Sequence, residues 1–142
     1  KEARCAIGGG TFSANPLTMT AGLATLNFLR KNPAVYSKIN KLGDAARKGL
    51  VKIFAEEDLS CEVTGTGSIF MPHFDKTSVH DANDVATSNK SALNKYHLAL
   101  MAEHGIFFLP GKMGAISFSH DNSDVKRLLA ATEEICRSGI LK

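Results

Sequence analysis

Apolar positions along this chain recur every third or fourth residue in some stretches and every second residue in others. From Asn32-Pro33 to about Ala55, Val35, Ile39, Leu42, Ala46, Leu50 and Ile53 form one stripe. Lys38, Lys41, Arg47, Lys48 and Lys52 fall largely outside it, which predicts a surface helix laid on a core. Leu93, Tyr96, Leu100 and Met101 predict a second helix over about 89–104, with Gly105 just past its end. A third begins at Asp121, buries Val125, Leu128, Leu129, Thr132, Ile135 and Cys136, and stops at Gly139. The stretch after Asn15-Pro16 differs. Leu17, Met19, Leu23, Leu26 and Phe28 are apolar, the other faces are mainly Ala, Gly and Thr, and no charge appears before Arg30. Asn at the cap and Pro at the first turn make a strong helix start. A helix so poor in charge is expected to be buried on several sides.

The period changes in CEVTGTGSIFMPHF, residues 61–74, which predicts a strand pair or bent strand, with Pro72 marking an edge or an irregularity. IFFLPG and GAISFS predict further short strands, and the polar run 75–88 a loop. The expected fold is α/β in the broad sense: a small α+β body with a mainly antiparallel sheet and helices packed on one side of it.

Composition changes this picture little. The 142 residues are 44% hydrophobic and 22% charged, with a net charge of +3. Lysines are spread out and Trp is absent, so no nucleic-acid footprint is expected. No apolar run reaches membrane-spanning length, so no membrane association is expected either. Cys5, Cys61 and Cys136 fit no paired motif and read as free thiols of a reducing compartment, the cytoplasm. The chain opens on Lys1 rather than Met, the pattern expected of a segment cut from a longer one.

The chemistry concentrates in GGGTFSANP, residues 8–16. Glycines let backbone N–H groups converge, Thr11 and Ser13 add hydroxyls, and a helix N-terminus follows, a combination suited to phosphate. It is neither a Walker loop nor a dinucleotide fingerprint, and a tight turn before a capped helix is the plainer reading of these residues alone. His73, His80, His97, His104 and His120 lack metal-ligand spacing, so no metal is expected, and surface or cap roles are the plainer reading. Glu56-Glu57-Asp58 reads as a solvated turn. Ser117 and Ser119 have no base placed by spacing, and no catalytic residue is identified.

GGGTFSANPLTMTAGLATLNFLRKNP closely resembles the start of the C-terminal part of class III aminotransferases. VTGTGSIF, NKYHLALMAEHGIFFLP and ISFSHDNSDVKRLLAATEEI extend the likeness collinearly to the end of the chain and point to the aminomutase-like branch. The resemblance implies the C-terminal domain of a fold-type I, aspartate-aminotransferase-like enzyme dependent on pyridoxal 5'-phosphate (PLP), homodimeric when complete and acting on a small amino acid or amine. Thr11, through its hydroxyl and amide, and the backbone at Gly10 would bind the phosphate of the partner subunit's PLP. Residues 1–33 would be the phosphate loop and interdomain helix, and 34–142 the small domain.

The same resemblance implies absences. The lysine that bonds to PLP, the acid that pairs with its ring nitrogen and the stacking aromatic lie well upstream of Thr11 in the family, so this chain is expected to be an inactive fragment alone. The aminomutase branch carries a glutamate in the segment matching PGKMGAIS, where this chain has Gly114. The last strand, ISFS, lacks the carboxylate-binding arginine of many transaminases. The alternative from another class is a free-standing, non-catalytic domain that binds anions or dimerises.

Overall fold

The computed structural model describes Gly10 and residues 12–141. The chain divides into two compact units, Lys1–Val35 and Tyr36–Lys142.

The first unit holds α1 (Pro16–Lys31). Asn15 caps it by accepting from the Leu17 amide at 2.9 Å, and Pro16 occupies a first-turn position whose amide has no helical acceptor. At the far end the Asn32 side chain donates to the Phe28 carbonyl at 2.8 Å. Burial on several sides is not found: α1 has no buried residue, and Leu17 is 80% and Leu26 67% exposed. Its pattern of small and apolar residues predicts the helix that is observed.

α2 (Ala34–Glu56) buries Leu42, Ala46, Leu50 and Ile53 as the periodicity predicts, and also Phe54. It crosses the connection between β1 (Cys61–Thr64) and β2 (Ile69–Phe74). A Cβ on Gly43 would stand 2.2 Å from the Gly67 carbonyl oxygen, so only glycine permits this approach. One turn on, the Arg47 guanidinium donates to the Gly67 and Ile69 carbonyls at 2.9 and 2.6 Å and pairs with Asp44. Helix and hairpin are thereby clamped together.

The hairpin is antiparallel, with Cys61 opposite Phe74 and Thr64 opposite Met71. β3 (Gly114–Ala115) adds to β2 through Ile69–Ala115 and Phe70–Gly114, giving a three-stranded antiparallel sheet with β2 in the middle. Pro72 is therefore on the central strand. Because β3 pairs only with Ile69 and Phe70, the strand is locally an edge where Pro72 sits.

The polar run expected to be loop contains a short helix, α3 (Ala82–Ala86), started by a reciprocal Asp81–Asp84 capping box. α4 (Lys90–Ala102) and α5 (Asn122–Arg137) follow the predicted stripes, capped by Asn89 and by an Asp121–Asp124 box. Phe54, Phe74 and Tyr96 meet edge to face at 5.3–6.0 Å between centroids in the core of this unit. The Tyr96 hydroxyl lies 2.7 Å from that of Thr132, joining α4 to α5.

IFFLPG is not a strand among the described residues, and GAISFS contributes only Gly114–Ala115. The amide of Ile106 is drawn back to the Leu100 carbonyl at 2.9 Å, and that of Gly111 to His97 Nδ1 at 3.1 Å. Both amides serve α4 instead of a sheet neighbour.

Candidate functional site

The turn before α1 is built by its own side chains. Ser13 donates its amide to the Gly10 carbonyl, and its Oγ accepts from the Gly10 amide, both at 3.1 Å. The Asn15 amide reaches the Phe12 carbonyl at 3.2 Å, and Ala14 takes φ 59° between them. Gly10 and Ser13 are thus brought together, both exposed, at the entry of a helix with no acid in its first turn. Having accepted one bond, the Ser13 hydroxyl keeps its hydrogen to donate elsewhere. Thr11, the residue expected to hold phosphate, lies outside the described residues.

The second feature surrounds Gly114. A Cβ there would lie 2.4 Å from the tip of the Phe70 ring and 2.7 Å from Phe108. Phe70 and Phe108 pack edge to face at 5.9 Å, and Phe108 stacks on His97 at 4.8 Å. His97 is fully buried, and its burial holds the imidazole down at about 4, neutral. Since its Nδ1 accepts from Gly111, the proton sits on Nε2, which has no partner among the described residues. His73 is buried too, beside Thr64 at 2.9 Å, and burial lowers its pKa against the pull of Glu62. Surface roles therefore fail for His73 and His97.

The remaining histidines fit the expectation better. His80 donates its amide to Asp84, and His104 lies 3.9 Å from Glu134 beyond the end of α4. His120 folds back on Ser117, whose amide and hydroxyl lie 2.9 and 3.0 Å from its Nδ1. Spacing alone does not reveal this contact. Glu57 of the acidic turn pairs with Arg137 at 3.2 Å. Among the described residues no group of three or more His, Cys, Asp or Glu could hold a metal ion. Nor is any helix there long and apolar enough to cross a membrane.

No protein-family model matches the chain. Glutamate-1-semialdehyde 2,1-aminomutase 2 of Lachnoclostridium phytofermentans is 33% identical over 127 residues, 88% of this chain and 30% of that protein. An omega-transaminase from Sphaerobacter thermophilus superposes over 93% of this chain and 30% of its own, with TM-score 0.72 and 31% identity. The chain is related to the C-terminal part of the class III aminotransferases.

A transaminase solved with PLP bound superposes over 95% of this chain and 30% of its own, with TM-score 0.74 and 26% identity. The chain thus spans about 30% of the length of the relatives it matches. Its α+β body is that of a fold-type I transaminase, as the resemblance implied.

Proposed function

We propose that this chain serves as the C-terminal part of a PLP-dependent class III aminotransferase or aminomutase, contributing phosphate ligands across a homodimer interface. The observation that carries this reading is the 33% identity to an aminomutase over 88% of the chain. What supports the phosphate is the pair of hydroxyls at Thr11 and Ser13 beside a helix start without an acid; the Gly10 amide, which donates to Ser13 Oγ, would have to exchange that bond for one to the phosphate. In the complete cytoplasmic enzyme, the Thr11 hydroxyl and the Gly10–Thr11 backbone hold the phosphate of the partner subunit's cofactor. When bound, PLP supplies an electron sink for carbon–nitrogen chemistry on a small amine or amino acid.

This chain supplies no catalytic group in that reading, because the cofactor-bonding lysine belongs to the part of the enzyme preceding it. Gly114, crowded by Phe70 and Phe108, stands where the aminomutase branch carries glutamate, and ISFS lacks the arginine of many transaminases, so the reading stays with both branches. The test is Thr11→Ala in the complete enzyme. Loss of a charge-assisted hydrogen bond is expected to weaken PLP binding about tenfold or more. Unchanged affinity would reject the phosphate assignment. Borohydride trapping of PLP at one lysine of this chain would reject the claim that the lysine lies elsewhere.

A further inference from the structure

A cleft of about 310 Å³ lies where β2, the start of α4 and residues 110–112 meet. That is the small end of the range for ligand sites. Met71, Val85 and Leu93 give it apolar walls, while His73, Lys90, Asn94 and Lys112 give it polar ones. Ser88 also lines it, but spends its hydrogen on the Val85 carbonyl at 2.8 Å. No Asp or Glu is among the lining residues.

The fold places these donors and leaves them hydrogens to give. Lys90 is the first residue of α4, whose first turn has no acid and whose cap, Asn89, is occupied by the Ala92 amide. Lys112 is fixed through its backbone: its amide donates to the Leu109 carbonyl at 2.9 Å, and the Gly111 amide donates to His97 Nδ1 at 3.1 Å. Neither ammonium group makes an ion pair or hydrogen bond among the described residues, and the Asn94 side chain makes no hydrogen bond there. His73 is only 4% exposed. Its Nε2 meets the Thr64 hydroxyl at 2.9 Å, and its Nδ1 makes no hydrogen bond among the described residues. With the Thr64 hydroxyl donating to Nε2, the neutral ring carries its hydrogen on Nδ1. A buried donor without a partner is costly unless something takes its hydrogen.

We propose that this cleft binds the phosphate group of a small anion, either free phosphate or a phosphate ester, between Lys90 and Lys112. A phosphate is largely dianionic above its second pKa of about 6, so it matches two lysine charges. Its oxygens suffice for both ammonium groups, the Asn94 amide and His73 Nδ1, whereas a carboxylate brings half the charge and two oxygens. The acid-free start of α4 adds to the attraction. The apolar walls suit the carbon portion of an ester. The proposal does not depend on the cofactor reading, and the turn at residues 8–16 takes no part in it.

The test is calorimetric titration of the complete enzyme with phosphate, phenyl phosphate and benzoate at matched ionic strength. Borohydride reduction first fixes PLP on the protein, so that the cofactor's own phosphate subsite is filled. An absence of reducible cofactor would reject the cofactor reading and leave the titrations to decide the cleft. Saturable binding of both phosphates is expected. Lys90→Gln and Lys112→Gln lose no hydrogen bond or ion pair of the fold, so the melting temperature is expected to stay unchanged. Each should weaken both phosphates about fivefold or more. Lys126→Gln, on an exposed residue of α5 outside the cleft, removes the same charge and should leave the affinity unchanged. Tighter binding of phenyl phosphate than of phosphate identifies an ester as the ligand, equal affinity identifies free phosphate, and both support the site. No saturation by about 10 mM, benzoate as tight as phenyl phosphate, or a loss no greater in the two cleft variants than in Lys126→Gln overturns the proposal.

Discussion

Gly114 and Phe70 face each other across β3 and β2, so closely that a Cβ on Gly114 would come within 2.4 Å of the ring. Phe108 closes the other side at 2.7 Å. The ring cannot swing away freely, because it is held edge to face against Phe108 at 5.9 Å.

Gly114→Ala is therefore expected to destabilise the fold by about 1–3 kcal/mol, the usual cost of overpacking. The contrast is Gly22→Ala on α1, where nothing lies within 4 Å of the added carbon. That variant should gain about 0.5–1 kcal/mol from helix propensity. Urea unfolding of both measures the difference, and equal effects would mean that the Phe70–Phe108 wall yields.

The buried hydroxyl pair gives an asymmetric prediction. Thr132 donates to the Leu128 carbonyl at 2.7 Å, so its oxygen is the acceptor for the Tyr96 hydroxyl. Thr132→Val strands the Tyr96 O–H in the core and is expected to cost about 1–3 kcal/mol. Tyr96→Phe leaves Thr132 still bonded to Leu128 and should cost only about 1 kcal/mol. Chemical denaturation would show a reversed order if the bond ran the other way.

Acid sensitivity follows from His97. Burial lowers its folded pKa from 6.5 to about 4, so below 6.5 the unfolded chain takes up a proton that the native state resists. The stabilising contribution is whole above pH 6.5 and is lost as pH falls toward about 4. The slope contributed is at most about 1.4 kcal/mol per pH unit. His73, also lowered by burial, acts in the same direction. In His97→Phe the slope should shrink whatever happens to absolute stability. Denaturation midpoints at a series of pH values read it directly, and an unchanged slope would refute the assignment.

Burial pushes the Cys61 thiol up to about 12, and Cys136 is buried as well. Native alkylation of Cys61 should therefore run about a hundredfold or more below the rate in denaturant, since the thiolate is the reacting form, and burial should shield Cys136 from the reagent. Mass spectrometry of the two cysteine peptides gives the rates. Prompt native labelling of Cys61 would show that β1 opens readily.

Much of the fold is legible in local chemistry. Asn15-Pro16, Asn89 and Asp121 mark helix starts because each offers a side-chain acceptor to amides that the helix leaves unpaired. The glycines of GTGS mark the hairpin connection, where Gly65 and Gly67 both take positive φ. IFFLPG misleads because a short apolar run suits a strand or a packed irregular segment equally.

The turn joining Gly10 and Ser13 is legible because glycine, hydroxyl and helix cap lie within a few residues. The Ser117–His120 contact and the cleft shared by Lys90 and Lys112 are not, since spacing gives neighbours on an element but not what faces them.

By itself, the sequence determined the four long helices, the hairpin and the kinship with aminotransferases, all set by patterns that repeat within one element or persist in order along the chain. Tertiary structure alone decided that Ile106 and Gly111 bond back to α4, and that Gly114 is walled in by two phenylalanines. It also decided that His97 is buried neutral against Phe108. Each of these depends on which surfaces meet at close range, and a buried polar group or a missing Cβ is fixed by neighbours far away in the chain.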